Sequence, residues 1–195
     1  MKRLLLGALL MSVAALPAMA ALQEGDWAPK FTAQASLAGK DFTFSLKKAL
    51  RKGPVVVYFY PSAYTGGCDI EAHTFAVDSE KFATAGATII GVSLDSIQRL
   101  NDFSADPKYC AGKFPTASDK DGAISKSYKI EVHQGPAGLK DVRGVEIGHS
   151  FADRTTFVIA RDGKIVSVIS QVPPAEHVAK ALEVVQHLQA KSTGA

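Results

Sequence analysis

The chain has few cysteines, two among 195 residues, and only one tryptophan. Two cysteines allow a single bridge, too few for a disulfide-stapled scaffold, so an apolar core is expected to hold the fold. No long apolar run follows residue 20, which excludes a spanning helix from the mature chain. Charge is nearly balanced at a formal +3. No basic stripe interleaved with aromatics occurs, so nucleic acid is not an expected partner. Internal repeats and low-complexity linkers are also missing. His73, His133, His149, His177 and His187 lack metal-ligand spacing, and neither metal nor cofactor is expected. They read as solvated, with His149 a candidate for the rim of a site.

Residues 1–20 read as a secretory signal peptide rather than a retained anchor. Lys2 and Arg3 precede the apolar run LLLGALLMSVAAL, and Ala18-Met19-Ala20 supplies a small-x-small cleavage pattern. The expectation is a periplasmic or secreted protein, with residues 21–195 as one domain. In an exported protein a disulfide can persist.

FTAQASL and DFTFSL, joined at Ala38-Gly39-Lys40, predict an N-terminal β-hairpin. Ser45 to Leu50 reads as a short helix stopped by Gly53-Pro54. VVVYFY is continuous in β-branched and aromatic residues, as in a strand buried on both faces, and ATIIGVSLD reads as a second buried-type strand. Between them a helix from Cys68 to Ala85 is expected to turn Ile70, Phe75, Val77 and Phe82 inward. A helix is also expected from Ile97 to about Phe103, a turn over Ala117 to Asp121, and a short helix over AISKSYKI. Residues 133–150 are glycine-rich and read as a loop or irregular hairpin. TTFVIARDGKIVSVIS is a hairpin turning at Asp162-Gly163, and a last helix runs from about Ala175 to Ala190. The predicted class is α/β, a mixed central sheet flanked by helices, and the element order resembles that of thioredoxin-like folds.

In PSAYTGGC, residues 61–68, a cysteine follows a Thr-Gly-Gly turn at the carboxyl end of a buried strand, where α/β proteins build sites. Cys68 is a small core residue, half of a bridge, or a nucleophile. A helix N-terminus and a nearby cation favour the thiolate, and apolar burial opposes it. Gly66 and Gly67 let backbone N–H groups approach a small ligand, Thr65 adds a hydroxyl, and Pro61 fixes the loop entry.

Pro61, Thr65 and Cys68 match P-x-x-x-T-x-x-C, and the chain resembles the peroxiredoxins from GDWAPKFTAQ to the last helix, most closely the bacterioferritin-comigratory, or Q-type, branch. The resemblance implies a thiol peroxidase in which Cys68 attacks a hydroperoxide and becomes sulfenic acid. It implies that Thr65, the Gly67 and Cys68 N–H groups and a later arginine hold the peroxide. Arg154, directly before TTFVIA, fits that arginine, whereas Arg99, Arg143 and Arg161 read as surface residues. Glu71 matches an acidic position that orients the arginine in relatives, although an exposed helical Glu is also common.

Many Q-type relatives carry a resolving cysteine five residues after the first, where this chain has His73. Cys110, in DPKYCAGKFP, resembles the alternative placement in the following helix and implies an intramolecular disulfide. A buried core thiol in a one-cysteine enzyme, or a permanent bridge in a non-catalytic exported protein, remain alternatives. A thiol–disulfide oxidoreductase would want C-x-x-C, which is missing. The expected partners are a hydroperoxide and a thioredoxin-like or small-thiol reductant, with the chain a monomer or homodimer.

Overall fold

The computed structural model describes residues 22–192 and Gly194, so the signal peptide expected over residues 1–20 lies outside the described residues. Among the described residues no helix is long and apolar enough to cross a membrane.

The chain opens with strands β1 (Thr32–Leu37) and β2 (Lys40–Ser45), then helix α1 (Leu46–Leu50). The Ser45 hydroxyl caps α1 by accepting from the Lys48 N–H, one of the orphan donors of a helix start. Next come β3 (Val55–Phe59), α2 (Gly66–Thr84), β4 (Thr88–Ser93) and α3 (Ile97–Ala105). The second half holds β5 (Thr116–Ser118), α4 (Ala123–Ser127), β6 (Val132–His133), β7 (Phe151–Ala152), β8 (Thr155–Ile159), β9 (Ile165–Ser170) and α5 (Pro174–Ser192).

Seven strands form one mixed sheet in the order β2-β1-β5-β4-β3-β8-β9. The β3–β4 and β4–β5 pairs are parallel and the rest antiparallel, and the fold is thioredoxin-like. β3 lies between β4 and β8 with all five residues buried. Its alternate residues feed two cores. Val55, Val57 and Phe59 meet α1, Tyr128 and the N-terminal segment. Val56 and Tyr58 meet α2, α5 and Leu100 and Phe103 of α3.

Two expectations need correction. Thr116–Ser118, partly expected as a turn, is the strand that ties the N-terminal hairpin to the parallel pair. Three residues after Pro115 are too few to show a period-2 pattern. Secondly, Ile70 and Val77 are 54% and 67% exposed. The face of α2 turned to the core is Cys68, Glu71, Ala72, Phe75, Ala76 and Phe82, so small residues lie inward and let the helix approach the sheet. Phe75 stacks on Tyr58 at 4.6 Å and meets Phe82 and Phe114. Phe75→Ala is therefore expected to cost about 3–5 kcal/mol, read as a lower urea midpoint at unchanged slope.

Candidate active site

The site forms where β3 ends. The loop from Tyr60 to Thr65 leaves the sheet and α2 starts at Gly66, with Thr65 as N-cap in an extended conformation. Cys68 is thus the third residue of the helix. The first helical hydrogen bond runs from the Asp69 N–H to the Thr65 carbonyl at 2.9 Å, which leaves the N–H groups of Gly66, Gly67 and Cys68 ahead of the ladder. The Thr65 hydroxyl donates to the Ser62 carbonyl at 2.7 Å.

Strand register delivers the arginine. Phe59 pairs with Thr155, so Arg154, one residue earlier, stands beside the mouth of the loop. Its Nη2 donates to Cys68 Sγ at 3.2 Å and its Nη1 to Glu71 Oε2. Gly67 is what permits this approach, since a Cβ there would lie 3.2 Å from both Arg154 Nη2 and Pro174 Cγ. Glu71 is fully buried, which corrects the reading of an ordinary exposed helical Glu. Burial pushes it up to about 7 against the pull of Arg154. Behind it, His177 of α5 sits 3.9 Å from Glu71 Oε1 and 3.0 Å from the Thr156 hydroxyl. Burial and Arg154 push His177 down to about 4, so at neutral pH it is uncharged. It is a core residue and not a solvated one.

Cys68 is 2% exposed. Burial pushes its thiol above the ordinary value, while Arg154, the Thr65 hydroxyl and the Ser62 backbone act the other way. Helix terminus and cation are legible in the sequence, whereas the depth of burial is a property of the folded chain. Pro61 is half-buried at the start of the loop, and Thr65, Gly67, Glu71 and Arg154 come together around the Cys68 sulfur. Cys110 lies in the turns after α3, fully buried in the same apolar cluster as Cys68. Both cysteines are free thiols. Burial, then Asp106 and Asp69, push Cys110 well above its ordinary value.

The structure also reveals a polar group under the loop that sequence reasoning missed. Arg99, expected at the surface, is drawn inward by Asp95 and Asp141 at 2.8 and 2.9 Å. Arg143 and Arg161 are both exposed, as the surface reading has them; the Arg143 guanidinium lies 3.4 Å from the centroid of the Tyr64 ring, and Arg161 bonds the Arg51 carbonyl. His149 binds Asp95 at 2.8 Å, and its Nε2 lies 3.3 Å from the Ser62 hydroxyl of this loop. The four-residue spacing of Asp95 and Arg99 was the available signal. Among the described residues no group of three metal-ligating side chains occurs.

Known proteins match this architecture. The model of the AhpC/TSA family matches residues 25–168. Peroxiredoxin Q of rice chloroplasts (Oryza sativa subsp. japonica) is 30% identical over 86% of this chain and 68% of its own. The crystal structure of peroxidoxin BcpB from Mycobacterium tuberculosis superposes with a TM-score of 0.68 at 28% identity, covering 85% of this chain and 97% of that one. The bacterioferritin comigratory protein of Xanthomonas campestris, described for alkyl peroxide reduction, gives 0.63 at 29% identity, covering 80% and 91%. The chain thus belongs to the AhpC/TSA family and is a peroxiredoxin enzyme with Bcp- and Q-type relatives.

Proposed function

We propose that the protein reduces hydrogen peroxide and organic hydroperoxides through Cys68, which Cys110 then resolves as an intramolecular disulfide. The observation that carries the reading is the single guanidinium of Arg154, shared between the Cys68 sulfur at 3.2 Å and the buried Glu71. It fixes a cation where thiolate charge is consumed and peroxide-oxygen charge appears.

In the first step the Cys68 thiolate attacks the near oxygen of ROOH. The O–O bond breaks, Cys68 becomes sulfenic acid, and RO⁻ leaves to be protonated as alcohol or water. Thr65 and the free N–H groups of the first α2 turn, Gly67 and Cys68 among them, orient the peroxide. The alkyl peroxide activity of the Xanthomonas campestris relative supports organic substrates. In the second step the Cys110 sulfur attacks the sulfenic sulfur, expelling hydroxide that takes the thiol proton as water.

Resolution is coupled to local opening around the two buried free thiols, because a disulfide needs Cα atoms within about 6 Å in a defined geometry. Pro107, Gly112 and Pro115 flank Cys110 in a segment without regular structure, suited to local opening. The leader-like residues 1–20 support export to the periplasm or beyond. There the reductant would be a thioredoxin-like protein or a small thiol, acting on a monomer or homodimer.

The test is rapid-mixing oxidation of the reduced protein with one equivalent of hydrogen peroxide, followed by mass measurement. The expected product is the Cys68–Cys110 disulfide. Cys110→Ser is expected to keep the first oxidation fast, to slow recycling, and to drive Cys68 to sulfinic acid in excess peroxide. Stable sulfenic acid or an interchain disulfide in the wild type would replace this with a one-cysteine or intermolecular route.

A further inference from the structure

The peroxide pocket rests on a buried ionic cluster outside it. Asp95, in the connection from β4 to α3, is fully buried. Its Oδ1 accepts from the Ser62 hydroxyl at 3.0 Å, and its Oδ2 accepts from the Ala63 N–H at 2.8 Å and the Ser93 hydroxyl at 2.7 Å. Arg99 Nε and His149 Nε2 each lie 2.8 Å from Oδ1. Arg99 Nη2 also donates to the Ala63 carbonyl at 2.7 Å. The Ser62–Ala63 pair is therefore gripped through a hydroxyl, an N–H and a carbonyl by one ion pair.

The other side of the same two residues faces the thiol. The Ser62 carbonyl accepts from Thr65, and the Ser62 backbone and Thr65 hydroxyl act on Cys68. The next residue, Tyr64, stands at φ 60°, a left-handed conformation that costs a non-glycine residue about 1–2 kcal/mol and persists only where its surroundings impose it. Those surroundings are Arg143 over its ring, Phe103 and Tyr109 against its edges, and the Val142 N–H on its carbonyl.

We propose that Asp95 is a positioning residue for the peroxide pocket, with Arg99 and His149 as the cations that hold it and the Ser62–Ala63 peptide as the part it sets. The inference rests on Cys68 being the peroxide-reacting thiol. His149 fits the role of cation because both ring nitrogens face acceptors, Asp95 Oδ1 and the Ser150 carbonyl, and only imidazolium donates at both. Ser62 from the loop, Arg99 from α3 and the Phe151 ring also face it. Burial and Arg99 act against the charge, and Asp95 and the Ser150 carbonyl outweigh them, leaving His149 above its ordinary value. Asp95 is correspondingly held below its own.

Asp95→Asn keeps the shape but removes the charge and turns an amide N–H₂ toward one set of donors. The test is stopped-flow oxidation together with titration of the Cys68 thiolate by its ultraviolet absorbance. The expected result is a peroxide step slower by about tenfold or more, with a raised Cys68 pKa, in protein still folded by circular dichroism. A purely structural role would lower thermal stability and leave the thiol pKa unmoved. If Asp95→Asn does not fold, Ser62→Ala carries the test, with a rate loss of about threefold and a pKa shift in the same direction expected. Unchanged rate and pKa in the folded variant overturn the proposal while Cys68 chemistry stands. Peroxide turnover in Cys68→Ser overturns the parent reading instead.

Discussion

Cys68→Ser is expected to abolish peroxide consumption, by more than about 10³-fold, in a protein that still folds. The argument starts from the size of the change. Serine replaces sulfur by a smaller oxygen at a position 2% exposed, so the loss of packing is slight. Arg154 Nη2, which donates to the sulfur at 3.2 Å, can donate to a hydroxyl as well. What disappears is the nucleophile, since a serine hydroxyl is not appreciably ionised near neutral pH even beside a guanidinium. Stopped-flow mixing with peroxide, with circular dichroism as the control, reads the result. Turnover in the folded variant would remove Cys68 from the mechanism.

The parts of this molecule legible in its sequence are those with a local cause. β3 announces itself by an unbroken β-branched and aromatic run, β4 by the largely apolar ATIIGVSLD, and the β8–β9 hairpin by Asp162-Gly163, where Gly163 takes φ 102°. The place of Arg154 is legible because a residue preceding a core strand inherits that strand's register. The misreadings share a different cause. Which face of α2 turns inward depends on the sheet it meets, so Ile70 and Val77 lie outward while Cys68, Glu71 and Ala72 lie inward. Arg99 looks like a surface cation until Asp141, from a distant glycine-rich loop, is brought within 2.9 Å of it. A cluster assembled from three separate loops has no sequence period to betray it. His177 was hidden for the same reason, since α5 meets Glu71 only after the chain has closed.

Arg154→Met is expected to slow the peroxide step by about tenfold at least, each tenfold corresponding to ~1.4 kcal/mol of lost transition-state stabilisation, and to raise the Cys68 pKa. Both effects follow from one geometry. Burial already holds the Cys68 thiol above its ordinary value, and Arg154 is the first of the groups opposing it. Methionine keeps much of the apolar stem and deletes the charge. Removing one partner of a buried ion pair usually costs about 3–5 kcal/mol of stability, because the other is left charged in an apolar setting. Here Glu71 limits that cost. Its carboxyl stands at about 7 even with Arg154 in contact, and without the cation burial drives it higher, so it takes up a proton instead of remaining an unpaired anion. Arg154→Met should therefore fold at neutral pH and lose stability as pH rises, since the folded state then binds a proton that the unfolded state releases. The double variant Arg154→Met with Glu71→Gln separates the two roles of the guanidinium. Stability at alkaline pH should return, because no buried carboxyl is left to ionise, while the slow peroxide step and the raised thiol pKa should persist. A double variant as fast as wild type would show that Arg154 serves only to neutralise Glu71 and that another group stabilises the reacting oxygen.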